Sequence, residues 1–94
     1  MLHVTAIIRV QPGHMDEVAA ALRELAAQSL GEAGCLDYQV FLSHAEPVLI
    51  TQERWADAAA ETAHLHGPNV AAAMVRVGRL LAAPPEIHRC EKVA

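Results

Sequence analysis

The spacing of apolar positions changes repeatedly along this chain, and each change marks an element. Leu2 to Val10 is rich in β-branched residues and ends at Gln11-Pro12-Gly13, which predicts a strand followed by a turn. Adjacent Ile7 and Ile8 make both faces of that strand partly apolar, as in a strand covered on both sides. The period then lengthens. Met15, Val18, Leu22, Leu25 and Ser29 fall at helical spacing, with Asp16 and Glu17 in a first turn where the helix dipole favours them. The helix is expected to stop near Gly31, and Gly34 adds a second break.

Alternation returns from Cys35 to Ser43, with Leu36, Tyr38, Val40 and Leu42 on one face and Asp37, Gln39 and Phe41 on the other. Ala45-Glu46-Pro47 makes a turn, and Val48 to Trp55 completes a hairpin. Asp57 is placed to cap a helix running to about His66, which Gly67-Pro68-Asn69 interrupts; Pro68 fits the first turn of the next segment. Val70, Met74, Val77 and Leu81 continue the stripe until Pro84-Pro85, and Glu86 to Lys92 reads as a last strand. The order is βαββαβ, a ferredoxin-like α+β arrangement with helices on one face of an antiparallel sheet, and residues 1–94 are expected to form one domain. Helices can cover only one sheet face. Enough apolar residues remain on the other to predict a homodimer.

Composition narrows the partners. The hydrophobic fraction is 53%, but much of it is alanine, which favours helix without adding much buried area. Seven basic against eleven acidic residues give a net charge of −4, and the basic residues are scattered, so nucleic acid and a polybasic membrane contact are not expected. No apolar run reaches the roughly 18 residues of a spanning helix. The opening MLHVTAIIRV reads as a strand and not as a signal peptide, so a cytoplasmic location is expected. Cys35 and Cys90 form no CxxC or zinc pattern and are expected to be reduced thiols.

Four segments carry more than periodicity: Gln11-Pro12-Gly13 after strand one, Glu32-Ala33-Gly34-Cys35-Leu36-Asp37-Tyr38 into strand two, Glu53-Arg54-Trp55 at the end of strand three, and His64 followed by Pro68-Asn69. In this order and spacing they resemble the antibiotic biosynthesis monooxygenase family over essentially the whole chain. The resemblance implies a dimeric α+β barrel. It also implies a range of chemistries: quinol and anthrone-type monooxygenases using no metal or flavin, haem-degrading enzymes, and isomerases of small phosphorylated sugars. Ala6, His64 and Met74 stand where haem-degrading relatives carry an Asn, a Trp and a His, so haem degradation is disfavoured. Asn69 stands where many relatives have a second His, and an amide cannot shuttle protons near neutral pH.

His64 is the candidate base, since an imidazole can take a proton from a phenol or an activated carbon acid. The competing reading is a structural histidine at the sheet end or dimer seam. Tyr38, Trp55 and Phe41 are the whole aromatic complement; Tyr38 and Trp55 could stack on a flat substrate or simply pack in the core. Asn69 or Tyr38 could clamp a substrate oxygen. Glu53 could orient His64 as an acceptor, or pair with an arginine at the seam. His66 lies two residues on, on another side of the helix, and no His, Cys or carboxylate spacing suggests a metal. No GxGxxG loop indicates a nucleotide or flavin, so no cofactor is expected. With these residues, the resemblance implies a cofactor-free monooxygenase joining a small aromatic substrate to dioxygen. The alternatives are an isomerase of a small polar, sugar-like metabolite in the same pocket and a non-catalytic dimer that binds a small ligand.

Overall fold

A computed structural model of residues 1–94 contains β1 (Leu2–Arg9), α1 (Met15–Ser29), β2 (Cys35–Leu42), β3 (Val48–Trp55), α2 (Ala58–Leu65), α3 (Pro68–Val77) and β4 (Glu86–Cys90). The strands form one antiparallel sheet in the order β2-β3-β1-β4, with the helices on one side. This is the ferredoxin-like α+β arrangement, its second helical region broken in two at Gly67-Pro68. Asp57 caps α2 through its carboxylate, which accepts from the Ala60 amide at 2.8 Å. Pro68 occupies the first turn of α3, where its missing N–H costs nothing.

The register sorts every strand residue to one face. Tyr38, Glu53 and Val4 lie side by side on the helix side, as do Val40, Thr51, Ala6 and Ile87 one pair further along. Val4, Ala6, Ile8 and Leu49 pack there against Val18, Leu22, Leu25 and Val77. Trp55 is fully buried at the end of the sheet that α2 covers. The opposite face holds the rows Phe41–Ile50–Ile7–Glu86, Gln39–Gln52–Thr5–His88 and Asp37–Arg54–His3–Cys90, with the pair Val48–Arg9 at one end. Only the first is mainly apolar, so the unpaired face is more polar than the strand pattern suggested.

Two ends differ from expectation. The apolar stripe predicted helix through Leu81, but α3 stops at Val77 and a single 3-10 turn over Gly78–Leu80 follows. Gln11 explains this. Its side-chain amide donates to the carbonyls of Arg79 and Leu81, and its backbone N–H donates to that of Leu80. Those captures tie the helix end to the turn after β1, and Leu81 then bridges to Val10 instead of continuing the helix. β4 ends at Cys90, not Lys92, because Cys90 already pairs with His3 at the start of β1 and no strand extends beyond it.

Candidate active site

Between the sheet and the helices lies a cavity of about 190 Å³. Fourteen of its nineteen lining residues are hydrophobic, Tyr38 among them, and the others are Thr51, Glu53, Glu61, His64 and Pro85. No lysine or arginine lines it. The sheet contributes the floor through Val4, Ala6, Ile8 and Ile87, the helices contribute the roof, and half-exposed Met74 stands at the rim.

His64 projects from α2 and is 4% exposed. Its Nδ1 lies 2.8 Å from Glu32 Oε1. The other oxygen of Glu32 accepts a hydrogen bond from the Asn69 amide, also at 2.8 Å. A carboxylate receiving a donor on each oxygen is an acceptor only, so a proton sits on the imidazole Nδ1, and in the neutral ring Nε2 is the atom that carries the lone pair. Nε2 makes no hydrogen bond within the chain, and the ring lines the cavity. The tilted Trp55 ring, with its centroid 4.6 Å away, and the Tyr38 ring at 5.6 Å hold the imidazole in place.

Gly34 brings Glu32 to this position. It adopts φ +80°, and a β-carbon there would lie 2.6 Å from that of Ala60 on α2. Only glycine allows both the left-handed turn and so close an approach to α2. The Ala56 N–H donates to the Gly34 carbonyl and fastens the turn. Glu32 is the residue that sequence reasoning missed. It stood inside the Glu32–Tyr38 segment, but nothing in its spacing pointed at a helix thirty-two residues away.

The other candidates divide. Tyr38 lines the cavity and its hydroxyl has no partner in the chain. Burial, reinforced by the nearby Glu53 carboxylate, pushes its phenol far above the ordinary range, so it remains a hydrogen-bond donor. Trp55 does not line the cavity; it backs His64 and donates from Nε1 to Glu53 Oε1 at 2.9 Å. Glu53 corrects both earlier expectations. It neither touches His64 nor faces the open side of the sheet, because its second oxygen accepts from Thr51 Oγ1 at 2.6 Å and the register turns it inward. Asn69 is also placed differently: its amide is spent on Glu32, and it borders a crease between α1 and α3, not the cavity. His66 ends α2 exposed, away from the cavity. Met74 and Ala6 sit at the rim and floor of a space much smaller than a porphyrin needs. No three His, Cys, Asp or Glu side chains converge as metal ligands would.

The sequence profile of the antibiotic biosynthesis monooxygenase family matches residues 1–76. The chain belongs to this family. A Caulobacter crescentus protein of the antibiotic biosynthesis monooxygenase type is 30% identical, with 99% of this chain and 90% of that one covered and a TM-score of 0.88. A Pseudomonas aeruginosa protein of known structure is 29% identical, covering 99% of this chain and 94% of that one, with a TM-score of 0.89. A Nitrosomonas europaea homologue superposes over the full length of both chains with a TM-score of 0.91 at 17% identity, a likeness of fold alone. No curated protein matches the sequence. No helix is long and apolar enough to cross a membrane.

Proposed function

We propose that the chain is a cofactor-independent monooxygenase of a small dihydroxy-aromatic substrate, with His64 as its base. One observation carries the reading: an imidazole whose Nδ1–H is fixed by Glu32 and whose Nε2 is free at the wall of an apolar cavity. Nε2 takes the proton of a ring hydroxyl. The phenolate passes one electron to dioxygen, and the substrate radical and superoxide couple at a hydrogen-bearing ring carbon ortho or para to that hydroxyl. The resulting peroxide anion recovers a proton from the imidazolium. Loss of water, with departure of the hydrogen on the same carbon, leaves a quinone; one oxygen atom enters the product and the other leaves as water. Tyr38 donates to a substrate oxygen, and the surrounding aliphatic side chains exclude bulk water.

The cavity volume favours one substituted ring over an anthrone, since a cavity of about 150 Å³ already accommodates benzene. A phosphorylated sugar is disfavoured, because the lining carries the carboxylates of Glu53 and Glu61 and no lysine or arginine. Members of this family are typically small dimers, and the open sheet face, with its Phe41–Ile50–Ile7 row, is where a second copy of this chain is expected to pack. Oxygen uptake with a quinol, without added metal or flavin and undiminished by a chelator, tests the activity. Uptake that survives His64→Ala in folded protein would make the domain a ligand-binding module.

A further inference from the structure

The inner wall holds one polar atom that the mechanism above does not use. Glu61 lies one turn before His64 on α2, is 2% exposed and lines the same cavity. Its Oε1 accepts from Arg89 Nε at 2.6 Å, while Oε2 is sealed from water and has no partner at all. Glu53, the other carboxylate of the wall, has both oxygens satisfied. An unpartnered buried carboxylate oxygen is costly, and the cost is relieved when a donor reaches it. The terminal torsion of a glutamate is broad, so turning Oε2 toward the cavity while Arg89 holds the other oxygen requires little.

The geometry points to Glu61 as a specificity residue that accepts a hydrogen bond from a second donor on the substrate. This rests on the oxygenase reading for the identity of the first donor, the hydroxyl facing His64 Nε2. Glu61 and His64 are three residues apart on one helix and so project side by side. Tyr38, beside His64, completes a polar end; Val18, Leu22, Val70, Val77 and Ile87 form the apolar remainder. The ligand that fits is a ring with two hydroxyls, or a hydroxyl and an amino group, and an apolar substituent. An ether oxygen in place of the second hydroxyl brings a lone pair against the carboxylate and binds less tightly. A carboxylated or phosphorylated ring is repelled outright.

The test is anaerobic binding of methylhydroquinone and its mono-O-methyl ether to the full chain, followed by calorimetry. Wild-type protein should prefer the diol by about tenfold or more, the usual scale of a hydrogen bond to a charged group. Glu61→Leu should erase the preference by weakening the diol while leaving the ether unchanged or tighter. Glu61→Gln, which keeps an acceptor in the same shape, should retain part of it and guards against a folding defect in the leucine variant. Equal binding of diol and ether by wild type, a preference surviving in Glu61→Leu, or no binding of either compound overturns the assignment. Selective binding without oxygen uptake would instead remove the oxygenase reading and leave Glu61 as a determinant of ligand choice.

Discussion

On the helix side of the sheet the polar groups are few, buried and individually bonded: Thr51 to Glu53, Glu53 to Trp55, His64 to Glu32. On the open side they are numerous and exposed: Arg9 pairs with Glu86 and Arg54 with Asp37 across strands, and His88 pairs with Glu86 along β4. The same strands supply both, since alternate residues of β1, β2 and β3 face opposite ways. Water separates the two chemistries. Exposed pairs are screened and contribute little. Buried ones must be satisfied within the chain, so each polar atom left free there marks a place where a ligand could bond. Along the cavity wall His64 Nε2, the Tyr38 hydroxyl and Glu61 Oε2 are those atoms; Ser29 Oγ is also without a partner but does not line the cavity.

The sharpest way to break this contrast is to remove one histidine from each side. His64→Ala is expected to lower quinol-dependent oxygen uptake by roughly 10²-fold or more, the usual scale of a positioned base. His88→Ala, on the open face, should leave the rate within about twofold, because an exposed pair of this kind contributes little. Both variants need to be confirmed as folded by circular dichroism. Comparable losses in the two would move the chemistry off the inner face.

A smaller effect is expected one step behind the base. Glu32→Gln keeps an oxygen near Nδ1 but removes the charge that fixes the tautomer and holds Asn69. A loss of about tenfold to a hundredfold is expected, mainly in kcat, since positioning errors of this order carry such costs. An unchanged kcat would show that Trp55 and Tyr38 alone hold the imidazole.

These two predictions also mark where the sequence stopped being legible. The alternation in β2, the Asp57 cap and Pro68 are local signals, because the interactions responsible span a few residues, and they placed those elements correctly. His64 was likewise visible, through the resemblance of its segment to the family's pattern. Glu32 was not, because its role depends on Gly34 turning the chain against Ala60, a contact between segments distant in sequence. Glu53 was misread for a related reason: its parity with Trp55 was seen, but which face that parity buried depended on where the helices lay. The end of α3 was missed because Gln11, distant in sequence, captures the carbonyls of Arg79 and Leu81 just beyond it.

Stability offers a further contrast, between rings that only pack and rings that also bond. Trp55→Phe would be mild if the indole were only filler. Here it also removes the donor to Glu53 Oε1 and leaves a buried carboxylate oxygen unpaired, so a loss of about 1–3 kcal/mol is expected by denaturant unfolding. On the open face, Phe41→Ser should leave the stability of the folded chain within about 0.5 kcal/mol, as for exposed substitutions generally. Its effect should fall on assembly, read as a shift toward one chain mass in light scattering.

The smallest effect concerns protons, and it is invisible at neutral pH. Tyr38 is the only tyrosine, so its ionisation can be followed by absorbance without interference. Burial, and then the Glu53 carboxylate, raise its phenol far above the ordinary value near 10. Glu86 on the open face shows the opposite response: its hydrogen bond to His88, and then that to Arg9, hold its carboxyl below the ordinary range. The signs of the two linkages follow. A group whose folded pKa is raised stabilises fully below its unfolded pKa, so the Tyr38 contribution is complete below about pH 10. Above that the unfolded chain releases the proton and the folded one does not, and stability falls as pH rises. The Glu86 contribution runs the other way, present above the ordinary carboxylate range and lost as pH falls through it. A titration of the native protein should therefore show no phenolate step near pH 10, and the step should appear only together with alkaline unfolding. A reversible phenolate signal at about pH 10 with the fold intact would mean that Tyr38 is open to water, and the inner face would then lose the dryness that distinguishes it from the outer one.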